Sequence, residues 1–381
     1  MEIDALQAAG AHVRLLTSNK CAKDAPSDLP QTLEPLLDDG WTTGSSLRWR
    51  PARVAHNLVR MTLYRVLIRS FPQALTHRRR HALAQLVDQV DLFWVIDFPS
   101  LPSVMDAIAD TDVRVVYETV DLVPEYMPNR RLQLARERNL VGRVDGFITA
   151  CDSYADYYME RYHKHLRRRP VVRDNMPAKQ VAECGVTNQP LRFLFLGSLM
   201  FDRPITELIE AMALTTMPCT LDFQGKNLIG EEPLRRIEEL GLQDRVHIVA
   251  SCPADQTVST SAAYDVGIVA LRGNDENERR ASTSKLFTYM SAGLAILGSG
   301  LPGIARVVTR FENGLLVGSM RSDDWAAAID TMCHMQPSAI DALRSRSLEG
   351  ARHHSWTTQR PAFVDEFHQA LTPRANQCYE G

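Results

Sequence analysis

Two cations lie where they could hold a negatively charged ligand. Arg203 comes shortly after a predicted strand, at the start of a helix, and Lys285 begins another helix. Both side chains would point into the crevice at the carboxyl ends of parallel strands, where open α/β sheets bind ligands. Together with the amides of a helix start, they could hold phosphate groups without a metal. The alternative for each is a solvated surface cation.

Three hydroxyl residues, Ser282, Thr283 and Ser284, come directly before Lys285. Their hydroxyl groups could contact the same ligand, or they could only cap the helix that Lys285 begins. The residue types alone leave both roles open.

The composition is that of a globular protein with no global preference for nucleic acid. The 381 residues predict two domains, and 43 Lys and Arg against 46 Asp and Glu give a net charge of −3. Seven scattered cysteines without a C-x-x-C pair argue against a zinc site or a disulfide framework. The acidic start does not fit a signal peptide, and no apolar run is long enough to span a membrane. We therefore expect a cytoplasmic protein without a metal or a cofactor.

Short apolar runs alternate with amphipathic stretches, which is the pattern of βαβ units in parallel sheets. In the first half the predicted strands are His12–Leu16, Leu92–Ile96, Val113–Tyr117, Gly146–Ala150 and Pro170–Arg173. In the second half they are Arg192–Leu196, Thr220–Phe223, Val246–Val249, Val266–Val269 and Ala295–Gly298. Two consecutive doubly wound sheets are expected.

The domain boundary is predicted near Asn175–Gln189, where a polar stretch precedes the next strand. This gives an N-terminal domain over 1–177, a second domain over 190–350, and a segment 351–381 whose closing helix, Trp356–Leu371, packs back across the domains. The chain opens in a helix, Ile3–Ala9, so we expect the N-terminal domain to lack its usual first strand, unless another segment fills the gap.

The run STSKLFTYMSAGLAI at 282–296, followed by GLPGI at 300–304 and ENGLLV at 312–317, closely resembles nucleotide-sugar glycosyltransferases of the GT-B fold, family 4 in particular. FLGSL at 195–199, RPI at 203–205, LIEA at 208–211 and YDVGI at 264–268 resemble further motifs of that family, in the same order. The first half is similar more loosely, at VYETVD (116–121) and VDGFI (144–148).

The resemblance implies two Rossmann-like domains facing a cleft, with the donor held by the second domain. The residues that it assigns to the nucleotide diphosphate-sugar are Gly197, Arg203, Ser282, Thr283, Ser284, Lys285, Leu286 and Thr288. The two cations and the helix start would stabilise the negative charge that develops on the diphosphate as the glycosidic bond breaks.

One position departs from the family pattern. Thr288 stands where the family has a glutamate that is generally taken to bind the ribose hydroxyls, and Arg280 occupies the position eight residues earlier, where a second acid is usual. A threonine can bond a hydroxyl only neutrally, and charge-assisted bonds are roughly twice as strong. Weaker nucleotide binding is expected, or loss of catalysis.

Three acids are the candidates for the acceptor side, namely Asp97, Glu118 and Asp121. Each follows or ends a predicted strand of the first sheet, although each alone could equally be structural. Val120 stands where relatives often have a histidine, which excludes a histidine base there. A D-x-D pattern at 110–112 precedes a strand instead of following one, so we reject it as a metal site.

A basic segment, residues 48–80, contains nine arginines, no acid and an approximate apolar stripe. Such a segment could contact an anionic membrane surface, which would suit a lipid-linked acceptor. Alternatively it is an ordinary helix with an arginine-rich face, or a site for an anionic acceptor. Nucleic-acid binding is not expected, because no recognised motif accompanies the charge.

The expected function is transfer of a sugar, of hexosyltransferase type, from a nucleotide diphosphate-sugar to a saccharide or lipid-linked acceptor. By resemblance the reaction retains configuration, needs no metal and serves cell-surface polysaccharide synthesis in the cytoplasm or on the inner face of the membrane. The alternatives are a GT-B nucleotide-sugar epimerase or hydrolase, and a non-catalytic partner protein.

Overall fold

The computed structural model describes residues 2–11, 15–17, 33–35 and 83–372. The basic segment 48–80 lies outside the described residues, and so do residues 12–14 of the first predicted strand. Helix α1 (Glu2–Ala8) opens the chain, and β1 (Leu15–Thr17) pairs in parallel with β2 (Leu33–Pro35). In the ranges described, no helix has the length and apolar character that crossing a membrane requires.

The first large sheet has four strands in the order β3-β4-β5-β6. Its strands are β3 (Leu92–Ile96), β4 (Arg114–Thr119), β5 (Gly146–Thr149) and β6 (Val171–Val172). Its helices are α2 (Leu101–Ala107), α3 (Val123–Tyr126), α4 (Arg130–Val141) and α5 (Asp152–Tyr162). The pairs β3–β4 and β5–β6 are parallel, as the predicted βαβ order requires.

The second large sheet has six strands, all paired in parallel, in the order β12-β11-β10-β7-β8-β9. The strands are β7 (Leu191–Leu196), β8 (Cys219–Gln224), β9 (Val246–Val249), β10 (Val266–Val269), β11 (Ala295–Ser299) and β12 (Gly314–Val317). This is a doubly wound order, in which the order of the strands reverses between β7 and β10, and folds of this kind usually bind ligands at the carboxyl ends of the two strands at such a point.

Nine helices among the described residues belong to this half of the chain. They are α6 (Ile205–Leu214), α7 (Glu232–Glu239), α8 (Thr257–Ser261), α9 (Glu276–Arg280), α10 (Ser284–Ser291), α11 (Pro302–Phe311), α12 (Ser322–His334), α13 (Pro337–His353) and α14 (Trp356–Leu371). Both sheet faces are covered, since Phe193 of β7 packs in one apolar cluster with Trp325 while its neighbour Leu194 packs in another with Leu286.

The described residues form two compact units. The larger unit comprises Thr119–Ala135 and Ile148–Asp365, and the described parts of Glu2–Glu118, Arg136–Phe147 and Glu366–Gly381 form the smaller one. In the smaller unit the end of α14 packs on the first sheet, where Glu366 accepts a hydrogen bond of 2.7 Å from the Phe147 amide. The domain limits 1–177, 190–350 and 351–381 stay predictions.

The α/β fold class and the parallel arrangement are confirmed. Nine of the ten predicted strands, from Leu92–Ile96 onward, have both ends within two residues of the observed strands β3 to β11, and the closing helix has the predicted bounds. The predictions omitted β2, which has only three residues, and β12, whose four residues lie within the ENGLLV motif. The lack of a usual first strand stays a prediction, because much of the N-terminal region is outside the described residues.

A buried ion pair ties the amino end of the second sheet together. The carboxylate of Asp265, which is fully buried, accepts hydrogen bonds from the amides of Asn188 (2.9 Å) and Arg192 (2.8 Å). The guanidinium group of Arg344, also fully buried, lies 3.5 Å from the same carboxylate and donates to the carbonyl of Gly293 at 3.0 Å. Asp265 of the YDVGI motif is therefore a structural residue.

We predict that Asp265→Ala lowers the free energy of unfolding by about 3–5 kcal/mol, because it leaves the Arg344 charge buried without its carboxylate. Urea denaturation followed by circular dichroism measures this change. The control is Asp323→Ala, which removes an exposed carboxylate from Arg321 and should leave the midpoint unchanged. Equal midpoints for the two variants would contradict this assignment.

Candidate functional site

The hydroxyl group of Tyr289 fixes helix α10 at the carboxyl ends of β7 and β10. It accepts a hydrogen bond of 2.7 Å from the amide of Leu196 and donates one of 3.3 Å to the carbonyl of Ile268. Its ring lies against Gly267, where a Cβ atom would come within 2.2 Å of it. Burial raises the pKa of Tyr289, so the hydroxyl stays neutral and keeps both bonds. The start of α10 is thereby set beside the crevice.

Lys285, in the first turn of α10, places its ammonium group over an aromatic ring. The Nζ atom is 4.5 Å from the centroid of Phe195, an attractive geometry for a cation. Gly197 lies beside it with a φ of 122°, a conformation that favours glycine, and a Cβ there would be in ordinary van der Waals contact with Nζ, at 3.5 Å. Across the described ranges, Lys285 makes no hydrogen bond and no ion pair.

The pKa of the Lys285 ammonium group is lower than that of an ordinary lysine. Desolvation by burial, and next the charge of Arg203, lower its pKa to about 7, while Asp202 acts in the opposite direction. In the described ranges no carboxylate lies close enough to form an ion pair with this cation, although buried charges need a counter-charge. A bound anion would supply that charge, so the site favours a negatively charged ligand.

Arg203, the second predicted cation, lies just before α6 and close enough to Lys285 to lower its pKa. Its guanidinium group is already near two acids, with Nη1 3.7 Å from Glu278 and Nε 3.9 Å from Asp202. Distances above 3.5 Å describe loose ion pairs instead of tight hydrogen bonds. The structure therefore brings the two predicted cations together, with Arg203 partly neutralised.

The sequence analysis missed Arg272, which holds the loop that carries Arg203. Its guanidinium group pairs with Glu207 at 2.6 Å and donates to the backbone carbonyls of Asp202 and Arg203, both at 3.2 Å. The sequence did contain a signal for this residue, because Arg272 follows the end of a predicted strand, at the same sheet edge as Arg203 and Lys285. Arg272 positions Arg203.

The three hydroxyl residues before Lys285 differ in what they contact. Ser282 is buried and donates to the carbonyl of Gly303 at 3.0 Å, which ties the start of α10 to the start of α11. Thr283 precedes the helix, but its hydroxyl caps no helix amide and is buried without a described partner. Ser284 is exposed at the helix start. Thr283 and Ser284 are thus the two whose hydroxyls have no described protein partner.

The side chains of Thr288 and Leu286, the other two residues of α10 predicted to contact the donor, are less accessible to a ligand. The Thr288 hydroxyl donates to the carbonyl of Ser284 at 3.0 Å, so its hydrogen is already used within the helix. The Leu286 side chain is fully buried in the hydrophobic core, and only its backbone could meet a ligand. Their roles in donor binding stay predictions.

Two of the predicted acceptor-side acids, Asp97 and Glu118, are neighbours at the end of the first sheet. The Asp97 amide donates to the Glu118 carbonyl at 2.8 Å, and Asp97 has a φ of 60°, a conformation that aspartate tolerates. The Glu118 side chain is fully buried and accepts a hydrogen bond of 2.9 Å from the indole of Trp94. Glu118 therefore stabilises the interior, and Asp97 is the more accessible acid.

The third acid, Asp121, is held by an asparagine that the sequence analysis did not identify. The Asn277 amide group donates to Asp121 Oδ1 at 3.2 Å, and its oxygen accepts bonds from the Leu122 amide (2.7 Å) and the Tyr154 hydroxyl (2.5 Å). Asn277 lies on α9, just before the hydroxyl run. No spacing rule could have revealed this contact, because 156 positions separate its two residues.

The D-x-D pattern precedes β4, as expected, and Asp110 and Asp112 are both exposed. Within the described part of the chain, no three His, Cys, Asp or Glu side chains form a group that could hold a metal ion. The absence of a metal from the reaction stays a prediction.

Comparison with protein families supports a glycosyltransferase relationship for the second sheet. Residues 190–334 match the family model of Glycosyl transferases group 1. The GDP-mannose:cellobiosyl-diphosphopolyprenol alpha-mannosyltransferase of Xanthomonas campestris is 26% identical over 217 residues. That match spans 55% of this chain and 56% of the relative, about half of each. The matched family region contains both Arg203 and Lys285.

Solved structures show the same fold at low sequence identity. The Anabaena protein HepE, in complex with UDP-glucose, gives a TM-score of 0.62 at 17% identity and covers 78% of this chain and 84% of its own. Sucrose-phosphate synthase from Thermosynechococcus elongatus gives a TM-score of 0.65 at 17% identity, with 96% and 90% covered. The chain has the GT-B fold of glycosyltransferases, which confirms the fold implied by the sequence motifs.

We predict that affinity for a nucleoside diphosphate falls as the pH rises above about 7, the pKa of Lys285 in the free protein. A bound anion raises this pKa, so the protonated protein binds more tightly, and the loss approaches tenfold per pH unit over about pH 7.5–9.5. Isothermal titration calorimetry measures it, and the ligand phosphate, with a pKa of about 6, stays ionised in this range.

The matched control is Lys285→Met, which keeps the length of the side chain but cannot titrate. Its affinity should be lower and flat over the same range. An unchanged pH profile in Lys285→Met would show that another group carries the dependence.

Proposed function

We propose that this chain transfers a sugar from a nucleotide diphosphate-sugar to a saccharide or lipid-linked acceptor. The observation that carries the proposal is Lys285, a cation without a described counter-charge at the carboxyl ends of β7 and β10. It stands in a chain of GT-B fold, within the residues that match a glycosyltransferase family model. A charged leaving group such as a diphosphate is the anion that this environment fits.

In the proposed reaction the bond between the sugar and the diphosphate breaks, and negative charge grows on the departing phosphate. Lys285, Arg203 and the amides at the start of α10 stabilise that charge, and the loss of one such donor costs about 10²–10³-fold in rate. The acceptor hydroxyl forms the new bond and passes its proton to the departing phosphate. We infer a hexosyltransferase of family 4 type that retains configuration and needs no metal.

The acceptor proposal draws on the Xanthomonas campestris relative, whose name gives a diphosphopolyprenol-linked cellobiose as acceptor. We infer a lipid-linked saccharide for this chain, with Asp97 and Asp121 on the acceptor side. Synthesis of cell-surface polysaccharide at the inner face of the membrane is the proposed setting, with residues 48–80 contacting the anionic lipid surface.

A non-catalytic GT-B partner protein is the second candidate. It is favoured by Thr288, whose hydroxyl hydrogen is used within its own helix and which replaces the family's ribose-binding glutamate. Such a protein would bind nucleotides weakly and would not turn over a donor sugar. Nucleotide binding therefore separates the two candidates.

We predict that at least one of GDP, UDP, ADP, CDP and dTDP raises the melting temperature, since a ligand at about 100 times its Kd stabilises the native state by about 2.7 kcal/mol. Lys285→Ala should abolish this rise, whereas Arg235→Ala, which removes an exposed arginine from α7, should keep it. Differential scanning fluorimetry measures both. No response to any of the five would reject glycosyl transfer in favour of the partner protein.

We predict that Thr288→Glu tightens binding of that nucleoside diphosphate by about fivefold, because a carboxylate forms a stronger bond to a ribose hydroxyl than a neutral group does. Calorimetric titration provides the comparison. The control ligand is the 2′-deoxynucleoside diphosphate, for which the gain should be smaller. An equal gain for both ligands would place the new carboxylate away from the 2′-hydroxyl.

A further inference from the structure

A pocket of about 720 Å³ lies among helices α5, α9 and α11 of the larger unit. Its volume is within the range of small-molecule sites, about 300–1,000 Å³. It is lined by Ser153, Asp156, Glu160, Glu276, Arg279, Arg280, Pro302, Ala305, Arg306, Thr309 and Arg310. None of these side chains belongs to the surroundings of Lys285, so the pocket is a separate feature.

Helical spacing explains how polar groups reach the pocket. On α5 the residues Ser153, Asp156 and Glu160 follow one another at three and four positions and share one face. On α11 the residues Arg306 and Arg310 are likewise four apart. Each helix therefore presents a polar face to the pocket, and four arginines and three carboxylates meet there.

Ion pairs hold these charged groups in place. Arg280 bonds Glu160 at 2.7 Å and Glu276 at 3.0 Å, and Arg306 bonds Asp156. A guanidinium group has five N–H donors and a carboxylate accepts at several lone pairs, so each paired group keeps capacity for a ligand. The lining thus presents both donors and acceptors, most of them joined by ion pairs, with nearly balanced charge.

This array discriminates among ligand classes. An apolar ligand would strip water from the charged groups without replacing their bonds. A strongly anionic ligand would meet three carboxylates and arginines that are largely paired already. A hydroxyl group both donates and accepts, so a neutral ligand with several adjacent hydroxyls satisfies both kinds of partner.

We propose that this pocket binds the saccharide part of the acceptor. The inference rests on the proposed glycosyl transfer and adds the place where the acceptor sugar is recognised. The pocket wall is joined to the donor side, since Ser282, three residues before Lys285, donates to the Gly303 carbonyl at the start of α11. At the same point a Cβ on Gly303 would lie 2.2 Å from the Arg280 carbonyl, so α9 and α11 are in close contact.

Saturation-transfer NMR with cellobiose, maltose, lactose and sucrose tests the proposal without any donor. We expect at least one disaccharide to receive saturation from the wild-type protein. Arg306→Ala should weaken its binding about tenfold, as loss of a charge-assisted hydrogen bond does. Asp156 keeps Arg169 as an ion-pair partner in this variant, so the fold should persist.

Two further variants make the test specific. Ala305→Trp should fill the pocket and remove the signal, whereas Arg321→Ala, an exposed arginine outside the pocket, should leave binding unchanged. Lack of signal from all four disaccharides, or a signal that survives Ala305→Trp, overturns the proposal. Broadening of the ³¹P resonance of inorganic phosphate by the wild-type protein but not by Ala305→Trp, in place of a saccharide signal, would also overturn it, in favour of an anion site.

Failure of the acceptor-pocket proposal can be told apart from failure of the proposed glycosyl transfer by measuring nucleotide binding as well. Stabilisation by a nucleoside diphosphate that Arg306→Ala does not alter shows that the donor site is intact. If that stabilisation is present and saccharide binding is absent, only the acceptor pocket is rejected. If saccharide binding is present and nucleotide stabilisation is absent, glycosyl transfer fails and the pocket remains a sugar-binding site.

Discussion

One hydroxyl group determines where the proposed donor site lies. The Tyr289 hydroxyl bonds both the amide of Leu196 and the carbonyl of Ile268. It therefore attaches helix α10 to β7 and β10, the two strands between which the strand order of the sheet reverses. A buried amide and carbonyl without such a partner would each be costly. Because Lys285 is one turn away on the same helix, the position of its ammonium group over Phe195 follows from that attachment.

The charged groups of the larger unit fall into two kinds. Arg272, Arg280 and Arg344 are held by carboxylates or carbonyls and serve to position backbone or other side chains. Lys285 has no such partner in the ranges described, and its pKa is correspondingly low. Ion pairs add modest stability or specificity. A buried cation without an ion-pair partner, in contrast, favours the binding of an anion that can reach it.

The sequence predicted the order of the strands, the fold and the proximity of Arg203 to Lys285, since these follow from hydrophobic periodicity and from motifs at strand ends. It could not predict that Glu118 points into the interior toward Trp94, because residues at a strand end can face either way. It also could not predict Asn277, whose partners Asp121, Leu122 and Tyr154 become neighbours only after folding. Tertiary hydrogen bonds between distant segments leave no local pattern.

The contact between Gly267 and the Tyr289 ring limits how this fold can be altered. Any side chain at Gly267 would collide with the ring, and any smaller residue at Tyr289 would release the hydroxyl that both strands need. Neither position can therefore be redesigned alone. A library that diversifies the proposed donor site should keep these two residues constant and vary Ser284, which is exposed at the start of α10.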